Sequence, residues 1–230
     1  MPTPSSLRPT VTRPKAHAAR AAEPRPDRQQ AILLAAEKLF ALNGYHAVTI
    51  RQIADEAGVP LALVSYYYGP KHSLFHAIFE HWNSTIQERM DGLALAKTSP
   101  PEDRLMRIIE AFVLPVIRLR ASAEGEYYAL LVARELYSAT PETDRVLRDY
   151  FDPLAHAFID ALHAALPPAT RNQVAWCYQF ALGALLLHLS DNRIDRLSLG
   201  ECRQGDPTAT AQLLSFIAGG FRAALPNPAP

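Results

Sequence analysis

The residues best suited to chemistry fall in one short stretch, V-T-I-R-Q-I-A-D-E-A-G-V-P-L-A-L-V-S-Y-Y-Y-G-P-K over positions 48–71. Thr49 and Gln52, three apart, have the spacing of a capping box, and Val48 and Ile53 flank it as a hydrophobic staple. Ile50, Ile53, Ala54 and Ala57 give a two-turn helix one apolar face. Gly58 ends it, and a second short helix starts near Pro60, where a missing N–H costs nothing. Val64 and Tyr68 then face inward, while Leu61, Ala62, Ser65 and Tyr66 face outward. Two short helices joined by a tight glycine turn predict a helix-turn-helix, whose second helix is shaped for the major groove of DNA. Leu61 and Ala62 offer methyl groups to thymine. Ser65, Tyr66 and Tyr67 offer hydroxyls to phosphates or base edges, Arg51 reaches a guanine or a phosphate, and Lys71 stands where the backbone passes.

The pattern excludes other chemistry more readily than it supports it. There is no P-loop, no Gly-rich dinucleotide motif and no H-E-x-x-H, so no catalytic residues and no enzyme are expected. His72, His76 and Glu80 lie at helical spacing and define an alternative, a regulator using a metal there. Two or three such ligands on one helix also suit a plain polar face, and no metal or cofactor is expected. A helical interaction scaffold that does not bind DNA is the other alternative, but it would not need the capped motif with its aromatic-and-Lys exit. Cys177 and Cys202 belong to no C-x-x-C pair and read as reduced thiols of a cytoplasmic protein. The longest apolar stretch, 174–189, is too short for a membrane span, so no membrane partner is expected.

Residues 27–80 resemble the TetR family of repressors: a capped first helix ending in N-G-Y, then T-I-R-Q-I-A-D-E-A-G-V, a recognition helix, an aromatic run and a lysine. The stretch 61–71 is most similar to the subgroup whose recognition helix reads LAxVNYHFGSK. It departs from it at Ser65 (for Asn), Tyr67 (for His), Tyr68 (for Phe) and Pro70 (for Ser), the last removing the usual cap ahead of Lys71. The segment 130–141, with R-E-L-Y-S-A-T-P, resembles the same subgroup. The resemblance implies DNA contact by Thr49, Arg51, Leu61, Ser65, Tyr66, Tyr67 and Lys71. It also implies C-terminal helices that dimerise and bind a small effector, which releases a repressor from its operator.

Around this stretch the chain must supply position and partners. Its 230 residues are 49% apolar with no net charge, yet residues 1–28 hold six basic side chains against two acidic ones, while 72–230 hold 14 against 18. The basic surplus sits where phosphates would need it. Residues 1–26, rich in Pro and Arg without apolar period, read as a disordered arm, a DNA-touching segment or an unselected tail. From Asp27 the pattern is helical throughout: an all-α fold with a three-helix DNA-binding unit over 27–73, a ligand-binding and dimerisation bundle over 74–226 and a tail at 227–230. Its six helices are expected at 72–95, 102–121, 124–139, 142–165, 169–190 and 207–225, with kinks at Pro115 and Pro153. The last two helices are the most apolar, and Trp176, Phe180, Gly183, Leu187, Leu213, Phe216, Ile217, Gly220 and Phe221 are the expected dimer residues, with the core of one subunit as the alternative. Polar or aromatic groups in apolar surroundings mark candidate ligand contacts: Phe112, Tyr128, Arg134, Tyr137, His156, Trp176 and Tyr178. A buried Arg134 would favour an anionic effector.

Overall fold

The structure, a computed structural model, describes residues 27–136, 140–167 and 169–225. The N-terminal arm, Tyr137 and the 227–230 tail fall outside the described residues. Among those described there is no strand, and no helix is long and apolar enough to cross a membrane.

Helix α1 (Arg28–Asn43) starts where Asp27 accepts the Gln29 N–H at 3.0 Å. It stops at Gly44, whose φ of 84° and ψ of 154° lie in a region open essentially to glycine alone. A side chain at Gly44 would also meet the Arg134 guanidinium, 3.1 Å from where its Cβ would stand. Helix α2 (Ile50–Glu56) carries both halves of the expected box: the Gln52 N–H donates to Thr49 Oγ1 at 3.3 Å, and the Thr49 N–H donates to Gln52 Oε1 at 2.8 Å. Helix α3 (Leu61–Tyr68) follows the turn at Gly58.

The helix expected over 72–95 is two: α4 (Lys71–His81) and α5 (Asn83–Lys97). The break falls at Trp82, whose indole N–H donates to Glu37 of α1 at 2.7 Å. Neither glycine nor proline marks this break; a partner 45 residues away does. Leu74, Phe75, Ile78 and Phe79 of α4 join the same core as α1 to α3.

Helix α6 (Pro101–Ala121) runs through Pro115 as one element and packs closely on α5, with Gly92 facing Ala111. Helix α7 (Glu126–Glu135) lies between α1 and α10 (Arg171–Ser190). The element expected at 142–165 comes in three parts: α8 (Pro141–Val146), a π-helical turn at Leu147–Phe151, and α9 (Asp152–Ala165). Pro153 has no N–H for the carbonyl four residues back, and its ring crowds that carbonyl. The preceding turn widens, and the Asp152 N–H reaches back five residues to Leu147. A short α11 (Ile194–Leu197) precedes α12 (Pro207–Ala224), which packs on α6 and α10. Two cores result: one under the head, which borrows Tyr128, Leu131 and Val146, and one within the bundle around Phe112, Phe158, Val174 and Ile217.

Candidate nucleic-acid interface and bundle cavity

The head presents α3 as a two-sided element. Val64 is fully buried, and the Tyr68 hydroxyl donates to the Gln29 carbonyl at 2.9 Å, tying α3 to the start of α1. The opposite face exposes Leu61, Ala62, Ser65, Tyr66 and Tyr67, with the Tyr66 and Tyr67 rings edge to face at 5.2 Å. Thr49 and Arg51 are exposed on α2, and Arg51 has no ion pair among the described residues. Two short helices fixed by a capping box and by Val64 thus expose methyl, hydroxyl and guanidinium groups.

Lys71 is placed differently from a free phosphate-seeking chain. Its ammonium lies 4.3 Å above the Tyr45 ring and 5.8 Å from that of Phe40, and the half-buried site lowers its pKa. Pro70 supplies no side-chain cap to α4, as its ring dictates. His72 and Glu80 are exposed, while His76 is half-buried with its ring 6.3 Å from that of Tyr150. Among the described residues no three His, Cys, Asp or Glu side chains are placed to hold a metal.

A partly open cavity of about 370 Å³ lies in the bundle among α5, α6, α7, α9 and α10. Val116, Val132, Leu136, Leu154, Leu182 and Leu186 are among its walls. Its polar groups are few: Arg89, Asp152, Tyr178 and Gln179. Arg89 is 8% exposed, and its guanidinium carbon lies 5.0 Å from the Phe112 ring and 5.6 Å from the Phe158 ring. Its Nε is buried without a hydrogen-bond partner. Cation–π attraction of this kind recovers about 2 kcal/mol when desolvated, less than the several kcal/mol that taking the ion out of water costs. Burial raises the Tyr178 pKa, with the nearby Arg89 charge opposing the rise.

Of the six candidate ligand residues that are described, only Tyr178 lines the cavity. Phe112 is buried behind Arg89. Tyr128 belongs to the core under the head, its ring stacked 5.3 Å from Trp82. Arg134 is exposed, not buried; its Nη1 donates to the carbonyls of Ala41 (3.4 Å) and Leu42 (3.3 Å), the free end of α1. His156 is exposed beside Arg171, and Trp176 faces outward. Arg89 is an addition to the expected set. Its signal in the sequence is its place on the stripe Ile86, Arg89, Met90, Leu93, Ala96, where every other member is apolar.

The outer face of α10 and α12 is apolar and open: Trp176 and Phe180 are each 65% exposed, Leu187 55% and Phe216 72%. Gly183 and Gly220 have open space above their backbones, and Leu213 is half-buried. Ile217 and Phe221 correct the expected set: they turn inward into the bundle's own core, one face round from Phe216 and Gly220. Of the cysteines, Cys177 is buried and Cys202 exposed, both as free thiols.

Residues 32–78 match the family model described as bacterial regulatory proteins, tetR family, and residues 110–220 match that of the tetracyclin repressor-like C-terminal domain. The chain is 33% identical over 95 residues to the HTH-type transcriptional activator FasR of Mycolicibacterium smegmatis, covering 39% of this chain and 40% of that one. It is 33% identical over 84 residues to the HTH-type transcriptional regulator BetI of Brucella anthropi, covering 36% and 43%. The chain thus spans about two fifths of the length of these curated relatives. A TetR-like transcriptional regulator from Rhodococcus sp. RHA1 shares the fold, with a TM-score of 0.57 and 24% identity over 87% of this chain and 98% of that one.

Proposed function

The chain belongs to the TetR family of transcriptional regulators, and on that premise we propose that it is a ligand-responsive repressor acting as a cytoplasmic homodimer on a near-palindromic operator. The observation that carries this is the outer face of α3, where Leu61, Ala62, Ser65, Tyr66 and Tyr67 stand exposed on a helix locked from behind. Leu61 and Ala62 meet thymine methyls, Ser65 and Tyr66 meet base edges or phosphates, Thr49, Arg51 and Tyr67 hold the backbone, and Lys71, half-buried against Tyr45, fixes the start of α4 beside them. The likeness of 61–71 to the LAxVNYHFGSK subgroup rests on Leu61, Ala62, Val64, Tyr66, Gly69 and Lys71. The departures at Ser65, Tyr67 and Pro70 argue for an operator of its own.

The partner subunit covers Trp176, Phe180, Leu187 and Phe216, forming a four-helix interface from α10 and α12 of both copies. Two recognition helices then address major grooves roughly 34–36 Å apart or a multiple of it. A small effector in the bundle cavity favours a spacing of the two heads that no longer matches the grooves, and so releases the DNA.

Gel-shift titration against the chain's own promoter region at fixed salt tests the contacts. Arg51→Ala and Tyr66→Ala should each weaken binding about tenfold, and Arg51→Ala should also reduce the salt slope by about one. Unchanged affinity in both would overturn the assignment. Sedimentation tests the pairing: Phe180→Arg with Phe216→Arg should give monomers, and a wild-type monomer at micromolar concentration rules out the homodimer. A reporter that rises on loss of the chain supports repression, and one that falls refutes it.

A further inference from the structure

We propose that the bundle cavity takes a monoanionic amphiphile, a carboxylate on an apolar body, with Arg89 as its counter-charge. The inference rests on the reading of the bundle as an effector-binding unit and names the chemistry of what it binds.

Arg89 is an almost wholly buried cation without an acid to answer it. It has no hydrogen bond and no ion pair among the described residues, and its Nε has neither partner nor solvent. The acids of its own helix are turned elsewhere: Glu88 pairs with Arg118, and Asp91 accepts from Gln87. Asp152 is exposed at the cavity's edge and is not within ion-pair distance. Phe112 and Phe158 lie against the guanidinium, and Arg89 is one of the residues that line the cavity. A guanidinium does not escape its cost by losing a proton, so the charge persists.

What the site lacks is one negative charge in planar form. A carboxylate meets the guanidinium fork through two parallel hydrogen bonds. Tyr178, close enough to feel the Arg89 charge, lines the same cavity and can add a hydroxyl to the polar end. The remaining lining is mostly aliphatic, from Val116 and Val132 to Leu186 and Leu189, and suits a hydrocarbon or ring rather than a sugar. A single cation neutralises a carboxylate, whereas a phosphate monoester would leave a second charge buried in aliphatic surroundings.

Calorimetric titration of the full chain with decanoate, decanol and decyl phosphate tests this. Decanoate should bind about tenfold or more tightly than decanol, since the added contact is a hydrogen-bonded ion pair. In Arg89→Gln that preference should fall to within about twofold while decanol binds as before, which reports an intact cavity. Arg89→Lys should keep part of it. Equal binding of acid and alcohol, a preference that survives Arg89→Gln, tighter binding of decyl phosphate, or no binding of any of the three would each overturn the proposal. None of these outcomes touches the operator reading, which the gel shift decides separately.

Discussion

In the head, the Lys71 ammonium rests on Tyr45 and Phe40 yet stays half in solvent; in the bundle, the Arg89 guanidinium rests on Phe112 and Phe158 and is almost wholly enclosed. Both are cations over aromatic rings. Water still hydrates part of Lys71, so its ring contacts are a modest gain that fixes the start of α4. Arg89 is almost wholly buried, its Nε without a partner, and the ring contacts do not replace the water it has lost. The same pairing thus holds a helix in one region and leaves an unmet charge in the other. Between them, at the seam, Glu37 is a third case: an acid buried under Trp82 and Tyr128, with burial raising its pKa from 4.5 to about 7 against the Trp82 hydrogen bond and a Tyr128 backbone contact.

Three substitutions probe this contrast, each followed by unfolding at one protein concentration, since a dimer's stability depends on it. Glu37→Gln should act most strongly. The folded chain holds the Glu37 proton more tightly than the unfolded chain between pH 4.5 and about 7, so stability falls as pH rises through that window and stays low above it. At about 1.4 kcal/mol for each tenfold change in proton affinity, the loss approaches about 3 kcal/mol. Glu37→Gln keeps an acceptor for the Trp82 indole, so it should be more stable than wild type by about 2 kcal/mol at pH 8 and about equal at pH 4. Parallel pH profiles would remove Glu37 as a source of the pH dependence. Arg89→Met should raise the stability of the ligand-free chain by about 1–2 kcal/mol, because an unanswered buried charge is exchanged for a side chain the cavity accepts. A clear loss would make Arg89 a structural group. Lys71→Met should change least, lowering stability by about 0.5–1 kcal/mol. A gain like that of Arg89→Met would erase the distinction between the two cations.

The head is legible in the sequence because its signals are local. Thr49 and Gln52 close their box within three residues, Gly44 and Gly58 carry the positive φ angles that end α1 and the turn, and Val64 against Tyr66 separates inside from outside on one short helix. The bundle hides more, because its decisive contacts are distant in sequence. Trp82 breaks a helix by reaching Glu37, Tyr128 leaves the bundle's core for the head's, and Arg134 spends its donors on α1 instead of a ligand. Arg89 escapes a sequence reading because a charge on a helix looks like a solvated face unless its neighbours on the stripe are weighed together. Ile217 and Phe221 look outward in sequence because an apolar stripe does not say which neighbour it meets.

Helix α7 touches both regions at once. Over about two turns, Ala129, Val132 and Leu136 wall the cavity, while Arg134 caps the carbonyls of Ala41 and Leu42 and Tyr128 stacks beneath Trp82. A ten-residue helix is a stiff rod of roughly 15 Å. It is a shared axle: a guest that turned it from the cavity side would pull on α1 through these contacts. The two Arg134 bonds are long, but Tyr128 and Leu131 are also buried in the head's core, so the head is geared to the bundle by packing and not by the caps alone.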